Sequence, residues 1–198
     1  MKKWLIILLL FAARVSAQKI PDYGFNKVRI VTNDKVIQAE TIPVSSDPSL
    51  DNDKTYYWSS SNAIHATQGG FSGKLLNGAY TEFYSNKNIR EQGHFNKGLK
   101  TGIWKSWNES GTLIQLYTWK DGVISGKFEV FEENGMLKQS GTYKNNLLHG
   151  KITNYSPSGE KQQVMYKSGK PVIRQTRSFL KRLKLGRQVN RDSTKLKP

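Results

Sequence analysis

The sequence predicts an all-β fold, an elongated single-layer antiparallel sheet made of tandem β-hairpin repeats. Three observations indicate it: an internal period of 24 residues, aromatic residues that keep one phase within that period, and a glycine-bearing turn in each hairpin. No stretch between turns is long enough for ten helical residues, which excludes a helical array. A hydrophobic fraction of 36% and a mean hydropathy of −0.61 agree, because they leave little material for a thick core.

The period is carried by glycines and aromatic residues at fixed separations. The repeat glycines, 24 residues apart, are Gly78, Gly102, Gly126 and Gly150, and turn glycines nine residues further on are Gly111, Gly135 and Gly159. The predicted aromatic ladder consists of Tyr80, Phe83, Phe95, Trp104, Trp107, Trp119, Phe128, Phe131, Tyr143 and Tyr155. We expect each ring to be buried mainly by its equivalents one unit away, since a single hairpin is marginal alone.

Each unit has the composition of a β-hairpin. Residues 102–107 are rich in aromatic and β-branched side chains, residues 108–111 supply a turn, and residues 112–117 form a return strand. Residues three apart in an ideal strand point to opposite faces, so Trp104 and Trp107 are expected on different sides unless a bulge intervenes. The aromatic residues should therefore cover both faces of the sheet.

The segment before the repeats fits the period poorly, and we expect an irregular N-terminal β cap over residues 18–68. Val28–Thr32 and Val36–Thr41 are predicted to pair as a hairpin, and Thr55–Trp58 and Ala63–Gln68 are predicted as further strands. The repeats then occupy residues 69–172. The ends of a repeat array are usually atypical, because something must shield the last ladder.

Residues 1–17 are predicted to be a cleavable export signal. Lys2 and Lys3 precede an apolar stretch, and small residues precede a cleavage site after Ala17. Ten apolar residues are too few to cross a hydrocarbon layer of about 30 Å. The pattern is typical of bacterial export, so we expect the protein in the periplasm, at the periphery of the outer membrane or outside the cell. Cysteine is absent, which excludes disulfides and thiolate zinc sites.

Positive charge is concentrated at the carboxyl end. The formal net charge is +16, and residues 167–198 hold eleven Lys or Arg residues against Asp192 alone. Residues 173–198 are predicted to be a basic tail, with a short helix starting at Ser178 as one option. The tail is a candidate anionic-surface site through Lys181, Arg182, Lys184 and Arg187. A solvated terminus without a partner remains open. Nucleic acid is not expected, because the tail has one aromatic residue for stacking.

The sequence shows no catalytic or metal-binding pattern. The histidines, His65, His94 and His149, are not placed together, and zinc-protease, serine-hydrolase and phosphate-loop motifs are missing. Glu82, Glu129, Glu132 and Glu133 could be imagined as a glycosidase pair, but solvated surface residues explain them better. We therefore expect no enzyme, no cofactor and no bound metal.

Residues 143–151, together with Gly102-Ile103-Trp104 and residues 107–111, resemble the variant MORN repeat of bacterial proteins of the YwqK antitoxin type, of which this chain would be an exported member. The likeness covers about residues 69–172. It implies a hairpin array that serves as a scaffold or binding surface, in some members at a membrane. We predict a non-enzymatic scaffold for a protein partner or an anionic membrane surface at the bacterial envelope. The alternatives are an antitoxin-type, protein-neutralising partner and a glycan-binding module in which Trp107 or Trp119 stacks on sugar rings.

Overall fold

The computed structural model describes residues 26–42 and 49–172, and every regular element in those ranges is a β-strand. The first seven strands are β1 Lys27–Val31, β2 Lys35–Thr41, β3 Thr55–Ser60, β4 Ala63–Gln68, β5 Lys74–Tyr84, β6 Ile89–Asn96 and β7 Leu99–Trp107. The others are β8 Leu113–Lys120, β9 Val123–Phe131, β10 Leu137–Lys144, β11 Leu147–Leu148, β12 Gly150–Tyr155, β13 Lys161–Lys167 and β14 Lys170–Pro171. The predicted fold class is confirmed. The export signal and the basic tail with its optional helix lie outside the described residues.

The strands form one long antiparallel sheet in the order β1-β2-β5-β6-β7-β8-β9-β10-β12-β13-β14. The hairpin predicted from the sequence corresponds to β1 and β2, which pair from Lys27 with Glu40 to Val31 with Val36. Strand β2 also pairs with β5, so this hairpin extends the repeat sheet directly. Each later hairpin adds two strands, or about 10 Å, to the sheet.

A second layer exists only in the N-terminal half of the described residues. Strands β3 and β4 pair with each other, and β3 joins the beginning of β5 where Trp58 faces Leu75. The β3–β4 hairpin crosses one face of the sheet, because the Tyr57 ring lies 5.0 Å from the Phe95 ring. Beneath and beside it lie two buried clusters, one of Ile30, Ile37, Ala39, Leu76, Tyr80, Phe95 and Trp104 and one of Tyr56, Trp58 and Leu75.

The repeat glycines mark irregularities that recur in the sheet with the 24-residue period. Their φ angles are all positive: 109° at Gly78, 70° at Gly102, 139° at Gly126 and 76° at Gly150. Around Gly102 the β6–β7 pairing jumps from Gln92–Lys105 to His94–Thr101. A bulge residue with positive φ is the conformation that glycine adopts without steric cost. The period of glycines is therefore a period of β-bulges.

Candidate interaction surface

The two faces of the repeat sheet carry different aromatic columns. Trp104 pairs with Tyr117, whereas Trp107 pairs with Leu113 beyond a bulge that falls on the partner strand. From Trp104 to Trp107 strand β7 alternates without interruption, so the two tryptophans lie on opposite faces, as expected. We call the face that carries Trp104 the aromatic face.

Burial separates the two columns sharply. On the aromatic face the residues two positions after each repeat glycine are almost fully buried, with exposed fractions of 6% for Tyr80, 3% for Trp104, 1% for Phe128 and 1% for Ile152. On the opposite face the column of Phe83, Trp107, Phe131 and Tyr155 is only half-buried. The core therefore lies on the aromatic face.

In the N-terminal half the aromatic face is covered. The rings of Tyr80, Phe95 and Trp104 contact one another, with centroid separations of 4.9 to 5.6 Å, and Tyr57 of the β3–β4 hairpin lies over them. Trp104 lies directly over Gly93, where an added Cβ would stand 2.3 Å from the indole ring. The missing side chain of Gly93 is what lets equivalent rings of two successive repeats meet.

Lys100 joins the β3–β4 hairpin to the sheet electrostatically. Its Nζ lies 2.9 Å from Glu91 Oε1 and 3.8 Å from the centroid of the Trp104 ring. The rings of Tyr57 and Trp119 stand 5.6 and 5.3 Å from the same ammonium group. An ammonium group held over ring faces and paired with a carboxylate is favourably placed, because both interactions attract its charge.

Glu82 is a buried carboxylate with structural partners. The Tyr80 hydroxyl donates a hydrogen bond of 2.7 Å to Glu82 Oε2, while Lys35 and Arg90 lie 3.5 and 3.2 Å from Oε1. Burial, together with the hydrogen bond to Glu82, raises the pKa of Tyr80 above its ordinary value. This set of partners explains Glu82 without a catalytic role.

A cavity of about 270 Å³ lies between the β3–β4 hairpin and the sheet, with Tyr57, Tyr80, Phe95 and Trp104 among its walls. A second cavity of about 220 Å³ shares Tyr57 and Lys100 with the first. The walls of the first cavity are mainly apolar, and the charged groups of Lys100 and Glu91 beside it are paired with each other. The second cavity is more polar, because Asp53, Thr55 and Asn146 also line it.

In the C-terminal half the aromatic face has no second layer among the described residues, and its rings pack differently. Phe128 stacks on Tyr117 at 5.8 Å and meets Tyr143 edge-on at 4.9 Å. Phe128 is therefore buried by Tyr117 and Tyr143 of the neighbouring strands as well as by its equivalent Ile152, which shares the space over Gly141 with it. Equivalent residues lie two strands, or about 10 Å, apart. Tyr117 of the intervening strand, which pairs with both Trp104 and Phe128, fills the gap that Gly93 leaves open one repeat earlier.

The aromatic face of β8–β13 carries no formally charged side chain among its alternating positions. One row across it consists of Gln115, Val130, Gln139, Asn154 and Gln162, which pair in succession. Within this row Gln139 Nε2 donates a hydrogen bond of 2.7 Å to Asn154 Oδ1. Burial raises the pKa of Tyr117, so that group also stays neutral at ordinary pH.

The opposite face of β7–β13 is rich in lysine, and we call it the lysine face. All of its lysines are exposed: Lys105, Lys120, Lys127, Lys144, Lys151, Lys161 and Lys167. The acidic residue on the same face of these strands is Glu129, and Asp121 lies in the turn after Lys120. None of the ion pairs among the described residues uses these lysines.

Sequence reasoning missed the lysine face although a signal was present. Lys127 and Lys151 are 24 residues apart, as are Lys120 and Lys144, and Lys167 follows 23 residues later. Charge counted along the chain points to the tail, whereas charge counted by position within the 24-residue repeat points to the lysine face. The tail residues predicted as the anionic-surface site, Lys181, Arg182, Lys184 and Arg187, lie outside the described residues.

No candidate metal centre occurs among the described residues. They contain no group of three His, Asp or Glu side chains placed to hold a metal ion. His65 stacks on Trp58 at 4.3 Å, and its Nε2 lies 3.3 Å from the Ser60 carbonyl oxygen. No helix of sufficient length and hydrophobicity to cross a bilayer occurs in this part of the chain.

The model of the MORN repeat variant family matches residues 76–97, 100–121 and 124–145. These three segments are similar to variant MORN repeats. The matches correspond closely to the hairpins β5–β6, β7–β8 and β9–β10, and hairpin β12–β13 continues the same geometry beyond them. A comparison with curated proteins gives no significant match. MORN repeats are generally non-enzymatic modules that engage proteins or membranes.

Proposed function

We propose that the protein is an exported, non-enzymatic MORN-repeat scaffold that attaches to an anionic component of the bacterial envelope and presents its aromatic face to a protein partner. The observation that supports it is the difference between the two faces of the repeat sheet. Over β8–β13 one face carries exposed lysines that form none of the ion pairs seen among the described residues, and the other carries neutral aromatic and amide side chains. The repeats match a family of interaction modules.

Attraction by the lysine face is electrostatic and depends on ionic strength. Each exposed charge pair is worth only about 0–1 kcal/mol, so several lysines must act together. The screening length is about 8 Å at physiological ionic strength, comparable to the spacing of about 10 Å between lysines two strands apart. The tail residues Lys181, Arg182, Lys184 and Arg187 would add to the same attraction.

The test of attachment measures co-sedimentation of the purified protein with envelope fragments and with vesicles of phosphatidylglycerol and phosphatidylcholine. We expect binding at 50 mM salt that weakens at 500 mM salt, because the screening length at the higher salt is about one-third of its value at the lower salt. A variant of the full chain in which Lys181, Arg182, Lys184 and Arg187 are changed together to glutamine measures how much of the binding depends on the tail. Binding that does not respond to salt would contradict attachment by charge.

Export is tested separately by sequencing the amino terminus of the protein recovered from the cell envelope. We expect it to begin at Gln18, because the small residues before that position suit signal peptidase. An uncleaved protein recovered from the cytosol would disprove the exported scaffold and would favour the antitoxin-type alternative.

The uncharged aromatic face favours a protein partner. Half-buried tyrosines beside amide side chains combine apolar area with hydrogen-bonding groups, a composition found at protein interfaces. Crosslinking in the envelope fraction, with Tyr143→Ala as the surface variant and Lys127→Gln as the control on the other face, is expected to lose one protein band in the first variant only. Equal loss in both variants would mean that the aromatic face does not hold the partner.

A further inference from the structure

We propose that the lysine face binds a linear acidic polysaccharide that runs along the sheet, across its strands. This inference rests on the proposed function in one respect, that the partner is an anionic component of the envelope. It names the chemical class of that component and the side chains that hold it.

The lysines form a track rather than a patch. Lys120, Lys144 and Lys167 are the last residues of β8, β10 and β13, each directly before a tight turn. Those turns lie at the same long edge of the sheet, so the three ammonium groups follow one another at intervals of two strands, about 10 Å. Lys127 and Lys151, in β9 and β12, form a second line beside the first.

The other long edge is more acidic. The turns there contain Glu109, Glu132, Glu133 and Glu160, which outnumber Lys138, paired with Glu132 at 3.3 Å, and Lys161 at the start of β13. An anionic polymer is therefore repelled from that edge and attracted to the lysine edge. Asp121 and Glu129 weaken the attraction of the polymer near them, but the lysines of this face outnumber these two carboxylates.

The twist of the sheet distinguishes a polymer from a flat membrane. Neighbouring strands rotate by about 20–25°, so the four steps from β8 to β13 turn the lysine face through roughly 80–100°. Lys120 and Lys167 consequently face directions about a right angle apart. A planar bilayer can contact only part of such a track, whereas a flexible chain can follow the twist and meet every lysine.

Lysine also suits a polymer whose charges have no fixed geometry. Its ammonium group is a compact charge on a flexible stem, which tolerates variation in the spacing of carboxylate or sulfate groups. Salt-dependent contacts repeated along the track then add up to useful affinity although each one is weak.

The test measures retention of the purified full chain on immobilised polygalacturonate, with neutral dextran as the blank and phosphatidylglycerol vesicles as the planar anionic surface. The track variant changes Lys120, Lys144 and Lys167 together to glutamine. The matched control changes Lys74, Lys87 and Lys97 to glutamine, which removes the same charge from exposed lysines outside the lysine face. The tail variant changes Lys181, Arg182, Lys184 and Arg187 to glutamine.

We expect the track variant to raise the Kd for polygalacturonate by about tenfold or more, as the loss of three exposed charge pairs implies, and the control to change it by less than about twofold. Equal effects of the track and control variants would overturn the proposal, because net charge alone would then explain binding. Vesicle binding that needs the track while polygalacturonate binding does not would identify a membrane as the partner instead.

The two proposals fail in different ways. Vesicle or envelope binding that depends on the tail, without any retention on polygalacturonate, overturns the polysaccharide and leaves the envelope scaffold standing. Absence of salt-sensitive binding to polygalacturonate, vesicles and envelope fragments alike overturns both. Circular dichroism of the variants, expected to match the parent, excludes unfolding as the cause of a lost signal.

Discussion

The N-terminal and C-terminal halves of the repeat sheet bury similar rings by different means. In the first half the β3–β4 hairpin lies over Tyr80, Phe95 and Trp104, and all three are at most 6% exposed. In the second half Phe128 is 1% exposed, but Tyr117 and Tyr143 beside it are half-exposed. The aromatic ring of a repeat can therefore be buried by a covering hairpin or by side chains of the neighbouring strands alone.

The residue in the intervening strand determines which rings meet. Gly93 leaves room for Tyr80 and Trp104 to approach to 5.6 Å, and Tyr117 occupies the equivalent place one repeat later. One repeat later Gly141 again has no side chain in this position, and the side chains of Phe128 and Ile152 both occupy the space above it. Glycine and tyrosine thus alternate in one column, which couples the repeats unequally.

We expect the two halves to differ most in how much stability each loses when one aromatic ring is removed from it. Trp104→Ala should lower the free energy of unfolding by about 3–5 kcal/mol, because it leaves a cavity under the β3–β4 hairpin. Tyr143→Ala should cost only roughly 1–2 kcal/mol, because that ring already contacts solvent. Urea denaturation followed by circular dichroism measures both values. Equal costs would mean that the hairpin adds no burial.

Adding a methyl group at Gly141 should have the next largest effect. The new Cβ would stand 2.3 Å from Ile152 Cδ1 and 2.9 Å from Phe128 Cε1, so Gly141→Ala should destabilise the fold by about 1–3 kcal/mol. Gly102→Ala is the control, because nothing lies within 4 Å of its Cβ and only its φ of 70° opposes the substitution, at about 1 kcal/mol. Thermal melts should rank the two variants in that order. The reverse order would show that packing over Gly141 does not couple the last repeats.

Stability should also fall at alkaline pH. Burial raises the pKa of Tyr57, Tyr80 and Tyr117 above the ordinary value of 10.0, so the folded state keeps these phenols protonated longer than the unfolded state does. Their contribution is complete below pH 10 and declines as the pH rises from the unfolded-state pKa towards the higher folded-state pKa of each group.

Urea midpoints measured from pH 8 to pH 11 test this expectation. The parent should be nearly constant at first and then decline, and Tyr117→Phe should decline less steeply because one of the three groups is gone. A decline of identical slope in that variant would exclude Tyr117 as a contributor.

The smallest effect is expected at the turn where the first repeat departs from the pattern. Lys87 has a φ of 72°, and its N–H donates to the Tyr84 carbonyl at 3.0 Å, as Gly111 does with Asn108 at 2.9 Å. Lys87→Gly should therefore stabilise the protein by roughly 0.5–1 kcal/mol, because glycine adopts this conformation without strain. A calorimetric melting temperature that falls instead would indicate a contact of the Lys87 side chain.

Much of the fold could be predicted because the 24-residue spacing is a property of the chain itself. The phase of Tyr80, Trp104 and Phe128 indicated which residues share a face, and the turn glycines Gly111 and Gly135 indicated where strands end. The β-bulges at the repeat glycines were not predicted, because a bulge is a feature of the pairing between two strands. The position of the β3–β4 hairpin over the sheet was not predicted either, because contacts between distant segments leave no local pattern.

The sequence by itself determined an antiparallel hairpin array with period 24, since alternation and turn chemistry act over a few residues. Only the tertiary structure decided that one face is closed by a hairpin at its N-terminal end and uncharged beyond it, and that lysines from five different strands, β8, β9, β10, β12 and β13, come into line on the other face. Strand pairing brings residues 24 positions apart to about 10 Å, and charge that is diluted along the chain becomes concentrated in space.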